Sequence, residues 1–179
     1  MKLLGISGTI LGSKTAAAVD ASLDVVRNKY PDIEVDFLDM RHYKNVQFCD
    51  GSNISDYNED TQKVIEKITA ADFYIIGTPI FQSSITGVLK NLFDLVPVPK
   101  ISNKVMGFIA TGGTSHHYLV VENQLKPIAG YFRAYVAPGH VYIHDEHFNE
   151  QQQIANEDII ARIEKLADEV VFMQTRLKG

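Results

Sequence analysis

The feature that most constrains this chain is an alternation, repeated from its first residues, of short apolar runs with longer amphipathic ones. KLLGIS (2–7) is a short apolar run ending in a Gly-rich turn. Residues 14–30 have helical spacing, with Ala17, Ala18, Ala21, Leu23, Val25 and Val26 at the apolar positions and Pro31 as the stop. IEVDFLD (33–39) alternates apolar and acidic residues, the pattern of a half-exposed strand near a sheet edge. Residues 41–57 show no clear period and read as a long excursion. Residues 58–70 read as a second helix. DFYIIGTP (72–79) is apolar without alternation, as expected of a strand covered on both faces. A helix over 85–96, a strand KVMGFIA (104–110), a helix over 117–133, a strand over 135–143 and a helix over 158–177 complete the series. Five strands alternating with five helices predict an α/β fold, a doubly wound parallel sheet with helices on both faces. Right-handed crossovers favour the flavodoxin-like strand order 2-1-3-4-5.

With 179 residues, 45 % apolar and 22 % charged, the chain reads as one domain with a full core. Cys49 is the only cysteine, so no intrachain disulfide can form. With no signal-peptide pattern at the N-terminus and no apolar run near ~20 residues, a cytoplasmic protein without a membrane partner is expected. The net charge is −5 and the 17 basic residues are scattered, which argues against a nucleic-acid surface.

In an open α/β sheet, ligands sit beyond the C-terminal ends of the strands, where the strand order reverses. With order 2-1-3-4-5 that point lies between the first and third strands. Three loops meet there. SGTILGSKT (7–15) joins a strand to a helix and carries the hydroxyls of Ser7, Thr9, Ser13 and Thr15, with Lys14 among them. Unpaired N–H groups at a helix N-terminus together with neutral hydroxyls suit a terminal phosphate. The loop is not a Walker A motif, because Ser13 separates Gly12 from Lys14. It is not a dinucleotide fingerprint either, because the glycines fall at Gly5, Gly8 and Gly12. A plain Ser-capped turn is the alternative. In GTPIFQSSITG (77–87), Pro79 stiffens the turn, and Ile80 and Phe81 are bulky apolar groups where a chain normally returns to solvent. They suit a wall beside a flat aromatic ligand, or else core packing of the next helix. In ATGGTSHH (110–117), Gly112 and Gly113 let backbone N–H groups approach a heterocycle, or else form a flexible turn.

Together these loops resemble the NAD(P)H-dependent FMN reductases of the flavodoxin-like class, over roughly residues 1–145. The likeness is greatest to the FMN reductases that serve alkanesulfonate monooxygenases. It is carried by SGTILGSKT, TPIFQSSITGVLKNLFDLVP and ATGGTSHHYLVVENQLKP. The resemblance implies that Ser7, Thr9, Ser13 and Thr15 hold the FMN phosphate beside Lys14. It implies that Pro79, Ile80, Phe81 and Gln82 line the isoalloxazine with Ser83 close by, and that Thr111, Gly112 and Gly113 face its pyrimidine edge with His116 nearby. Many relatives carry an Arg in the first loop, where Ile10 and Leu11 stand here, so the choice between NADPH and NADH is left open. Sulfonate-linked relatives often have an aromatic residue where this chain has Asn123.

The activity so implied is hydride transfer from NADPH or NADH to N5 of FMN, with no side chain as general acid or base. Reduced FMN then leaves for a flavin-dependent monooxygenase. Two alternatives remain: a quinone or azo reductase with tightly held FMN, and a flavodoxin-type electron carrier. The family and the apolar positions Leu89, Leu92, Phe93 and Leu95 suggest a homodimer or homotetramer. His140, His144 and His147, with Asp145 and Glu146, lack metal-motif spacing and are expected to form a surface loop or subunit contact, with no metal site. Cys49 reads as a small apolar loop residue. Pro127 lacks an N–H and crowds the carbonyl of Asn123, which predicts an interruption of the fourth helix there.

Overall fold

The computed structural model describes residues 1–178. The sheet is built from β1 (Lys2–Ser7), β2 (Glu34–Asp39), β3 (Phe73–Pro79), β4 (Val105–Gly112), β5 (Tyr135–Val136) and β6 (Val141–His144). Every pairing is parallel, and the order is β2-β1-β3-β4-β5, with β6 also pairing with β4. The expected strand over 135–143 is therefore two strands sharing one position in the sheet. Pro138, which has no N–H to give the ladder, stands in the gap between them. The acidic, alternating β2 lies at the sheet edge, and β3 is buried through its first six residues.

The helices α1 (Lys14–Lys29) and α6 (Glu157–Lys178) cover one face of the sheet. Leu3, Phe73, Ile75, Val105 and Ile109 pack there against Val19, Leu23, Ile163, Leu166 and Val170. The other face carries α2 (Glu59–Ala70), α3 (Gly87–Leu95), the short α4 (Val98–Ile101) and α5 (Lys126–Tyr131). There Leu4, Ile6, Tyr74, Ile76 and Phe108 pack against Val64, Ile68, Leu89, Leu92 and Phe93. Leu89, Leu92, Phe93 and Leu95 are all buried within this chain. They do not form the oligomer face expected of them, because α3 turns Leu89, Leu92 and Phe93 onto its own sheet and Leu95 packs with Tyr57 and Ile65.

Local chemistry sets the helix starts. Asn58 caps α2 by accepting from Thr61 N at 2.9 Å, and Glu59 and Asp60 complement the helix dipole in its first turn. Thr86 caps α3 by accepting from Leu89 N, and its hydroxyl donates to the Gly8 carbonyl, tying the loop after β1 to the loop after β3. The excursion over 41–57 contains two short 3₁₀ turns. It is pinned by the nearly buried Asn91, which donates to Gln47 O at 2.9 Å and accepts from Cys49 N at 2.8 Å. Cys49 itself is exposed.

The helix expected over 117–133 is broken into three pieces: a 3₁₀ turn at Ser115–His117, a π-helical turn at Val121–Leu125, and α5. Lys126 N–H donates to the Val121 carbonyl, five residues back. Pro127 cannot serve the Asn123 carbonyl, and widening the turn moves that carbonyl away from the proline ring. Among the described residues no helix is long and apolar enough to cross a membrane.

Candidate functional site

A cavity of about 440 Å³ opens at the C-terminal edge of the sheet. Its walls come from all three loops read from the sequence: Ser13, Lys14 and Thr15; Pro79, Ile80 and Phe81; Thr111, Gly112 and Gly113. It is closed further by Leu11, Gly12, Asp145 and Gln152, which the sequence reading did not select. Nothing local marks Asp145 or Gln152, since they arrive through the β6 connection, more than 30 residues after the nearest wall residue.

The α1 end of the cavity offers donors without internal takers. Ser13 stands at the N-cap, but its side chain bonds no backbone N–H of the first turn, and no acidic residue lies in that turn. Helix N-terminal N–H groups left in this state favour an anion. Thr15 Oγ1 shares a buried hydrogen bond of 2.8 Å with Thr111 Oγ1, coupling the first loop to the third. Ser7 and Thr9 lie beneath the loop, away from the cavity wall. Thr9 uses its hydroxyl on Leu11, and Ser7 Oγ is buried without a partner. Arg41 braces the loop from outside by donating to Gly12 O at 3.1 Å, and it is gripped in turn by the buried Asp39 carboxylate. Burial would raise the Asp39 pKa. The Arg41 guanidinium and backbone N–H outweigh that and hold it below the usual carboxylate range.

The second loop is a tight hairpin. Phe81 and Ser84 exchange both backbone hydrogen bonds at 3.0 Å, and Gln82 and Ser83 between them have φ of 49° and 62°. Two successive left-handed residues make a primed turn, which ordinarily calls for Asn-Gly. Without glycine the turn is strained, and strain of this kind marks functional loops. Its result is to hold Phe81 at the cavity mouth, 47 % exposed. Gln82 and Ser83 form the turn tip and do not reach the wall. The hairpin is stapled by Gln124 of the π turn, whose Oε1 accepts from Ser84 Oγ at 2.7 Å and whose Nε2 donates to Ser83 O at 3.2 Å. The interruption imposed by Pro127 thus sits where its side chains fix the second loop.

The third loop is held from behind. A Cβ on Gly112 would run into the Tyr142 ring and hydroxyl, and one on Gly113 would meet Asp145 Oδ2 at 3.3 Å. These glycines therefore serve close packing against β6 and the segment after it, as well as opening backbone to the cavity. Tyr142 Oη donates to Thr114 O, and a ring nitrogen of His144 lies 3.0 Å from Gly113 O. His144 and His147 cap the short turn after β6, with distances of 3.3 Å to Glu146 N and His144 N. The histidine segment is thus a buttress for the glycine loop. His116 is exposed and lies off the cavity wall.

A sequence model described as NADPH-dependent FMN reductase matches residues 1–148. The chain belongs to that family. Its members are oxidoreductases that use FMN with NAD(P)H. The chain is 56 % identical, over its whole length and 96 % of the relative's, to an NAD(P)H-dependent FAD/FMN reductase of Geobacillus thermodenitrificans. It is 33 % identical to the NADH-dependent FMN reductase SfnF of Pseudomonas putida, over 62 % of this chain and 59 % of that one. Among solved structures, an NADH:FMN oxidoreductase in its apo form superposes with a TM-score of 0.78 at 22 % identity, covering 98 % of this chain and 89 % of that one. A flavodoxin from the domain Archaea superposes with a TM-score of 0.67 at 11 % identity over the whole of both chains. Those two likenesses establish the flavodoxin-like fold.

Proposed function

We propose that the chain reduces FMN with NADPH or NADH at this cavity, and that the reduced flavin is then handed to a separate acceptor. The observation that carries the reading is the convergence of three chemically distinct walls on one cavity. One is an uncapped helix start with hydroxyls, one is an apolar wall with a half-exposed ring, and one is a glycine loop. These residues fit a flavin mononucleotide. The first-turn N–H groups, Ser13, Lys14 and Thr15 suit its phosphate. Pro79, Ile80 and Phe81 suit a flat ring system, and the backbone of Thr111, Gly112 and Gly113 suits a polar heterocycle edge. Ser7 and Thr9 would shape the phosphate loop from below, and Gln82, Ser83 and His116 would border the mouth. FMN, when bound, would supply the redox chemistry, as an acceptor of hydride from NAD(P)H. The chain's own residues would orient the ring, with Phe81 beside it and the glycine-loop backbone toward its polar edge.

The acceptor is proposed to be a flavin-dependent monooxygenase, in the cytoplasm where NAD(P)H is available. Exposed Tyr118, Leu119, Tyr131 and Tyr135 support a homodimer or homotetramer, which light scattering reads directly. The test of function is NADPH and NADH oxidation with FMN, FAD and riboflavin, together with titration of each flavin. FMN is expected to bind best, because the first loop suits one terminal phosphate. Absence of flavin-dependent NAD(P)H oxidation would overturn the reading.

A further inference from the structure

The cavity wall holds one cation and one anion among its side chains, Lys14 and Asp145, and they are bonded to each other at 2.7 Å. The pair spans the site. Lys14 opens α1 at the end with unpaired donors, whereas Asp145 follows β6 behind the glycine loop. The two residues are 131 apart in sequence, so only the fold brings them together. The Lys14 ammonium also lies 5.4 Å from the centre of the Phe148 ring. In this arrangement the lysine charge is already paired at the cavity wall. An anion entering at the first turn of α1 would compete with Asp145 for that charge.

We infer that Asp145 is a latch on Lys14, a specificity-determining residue that weakens the hold on phosphorylated flavins and keeps FMN exchangeable. The inference rests on the proposed seating of the flavin phosphate at the start of α1. The Lys14 charge is divided between the phosphate and the carboxylate. With the carboxylate nearby, phosphate binding must share or break an existing ion pair and bring like charges closer together. The consequence is particular to the phosphate. Riboflavin carries no charge at that end and neither breaks the pair nor meets the repulsion. Both side chains are partly exposed, at 28 % for Lys14 and 51 % for Asp145, so the latch can open without unfolding anything.

The test is fluorescence titration of the full-length protein with FMN and riboflavin, with the FMN dissociation rate measured alongside. Asp145→Asn should tighten FMN about tenfold and slow its release, which is the scale of one charge-assisted bond. Riboflavin affinity should stay within about twofold. Asp145→Glu should restore native FMN affinity. In a Lys14→Met background, where FMN binds more weakly, adding Asp145→Asn should recover no more than the loss of like-charge repulsion. Raising salt should narrow the gap between Asp145→Asn and the native protein. Unchanged or weaker FMN binding in Asp145→Asn, or equal shifts for both flavins, would overturn the latch. Failure of the underlying reading looks different. If Ser13→Ala with Thr15→Ala weakens FMN and riboflavin alike, the phosphate is not seated at this loop. If that pair selectively weakens FMN while Asp145→Asn changes nothing, only the latch falls.

Discussion

The two ends of the sheet are built on opposite rules. At the N-terminal end the polar groups are matched within the chain. Asp72 takes Lys2 N at 2.8 Å and the Lys178 ammonium at 2.8 Å. Burial would raise its pKa, but those two partners hold it below the usual range. Lys104 reaches under β3 to Thr69 O, Ala71 O and the Tyr74 hydroxyl. Burial pulls its pKa down and pushes that of Tyr74 up. At the C-terminal end an α-helix begins without a side-chain cap, a serine hydroxyl is buried without a partner, and a hairpin turns through two strained non-glycine residues. One end has its polar groups matched within the chain, and the other leaves several of them without partners.

Ser13→Ala with Thr15→Ala should weaken FMN by about a hundredfold or more, since each bond to a charged group contributes ~1.5–3 kcal/mol. Riboflavin binding should barely change. Unfolding free energy should fall by only about 1–3 kcal/mol, for the buried Thr111 hydroxyl left without its Thr15 partner. A large stability loss would mean that these hydroxyls are structural after all.

Asp39 is a matched charge at the open end, and it props the loop after β1 through Arg41. Asp39→Asn should cost about 2 kcal/mol, less than the ~3–5 of a fully buried pair because Arg41 is partly exposed. The pH dependence has a definite sign. The folded pKa of Asp39 is depressed, so its contribution is complete above the ordinary carboxylate pKa and is lost as pH falls through the folded value. Urea denaturation at neutral pH and near pH 3 checks this. The variant should lie well below the native protein at neutral pH, and the gap should narrow as pH falls below the ordinary carboxylate range.

Lys104→Met at the closed end should cost about 1–2 kcal/mol, because it leaves two carbonyls without their donor, while FMN affinity stays unchanged. Any change in flavin binding there would show that the two ends are coupled. Gln124→Ala should have the smallest effect, a weakening of both flavins by a factor of about three to ten with little loss of stability. It removes the staple on the Phe81 hairpin and touches no phosphate, so FMN and riboflavin should shift together. A shift confined to FMN would place Gln124 in a role the geometry does not support.

Much of this was legible in the chain. The unalternating run before Pro79, the acidic alternation of β2 and the three loop compositions predicted the sheet order and nine of the residues that line the cavity. Pro127 predicted a break near Asn123, because a missing N–H and a crowded carbonyl are local facts. Other expectations failed for reasons local reading cannot supply. The apolar side of α3 read as a subunit face, but the chain's own core claims it. Glycines 112 and 113 read as openings to a ligand, but tertiary packing also sets them against Tyr142 and Asp145.

Periodicity, turn residues and strand connectivity settled the order of elements, the sheet edge at which the three loops meet and the chemical character of each loop. Only the tertiary structure decided how those loops are held and which charges face one another. Arg41 on Gly12, Gln124 on Ser83 and Asp145 on Lys14 join residues 29 to 131 positions apart. Side chains that far apart have no periodicity in common. They meet because parallel strands deliver all their C-terminal loops to one edge.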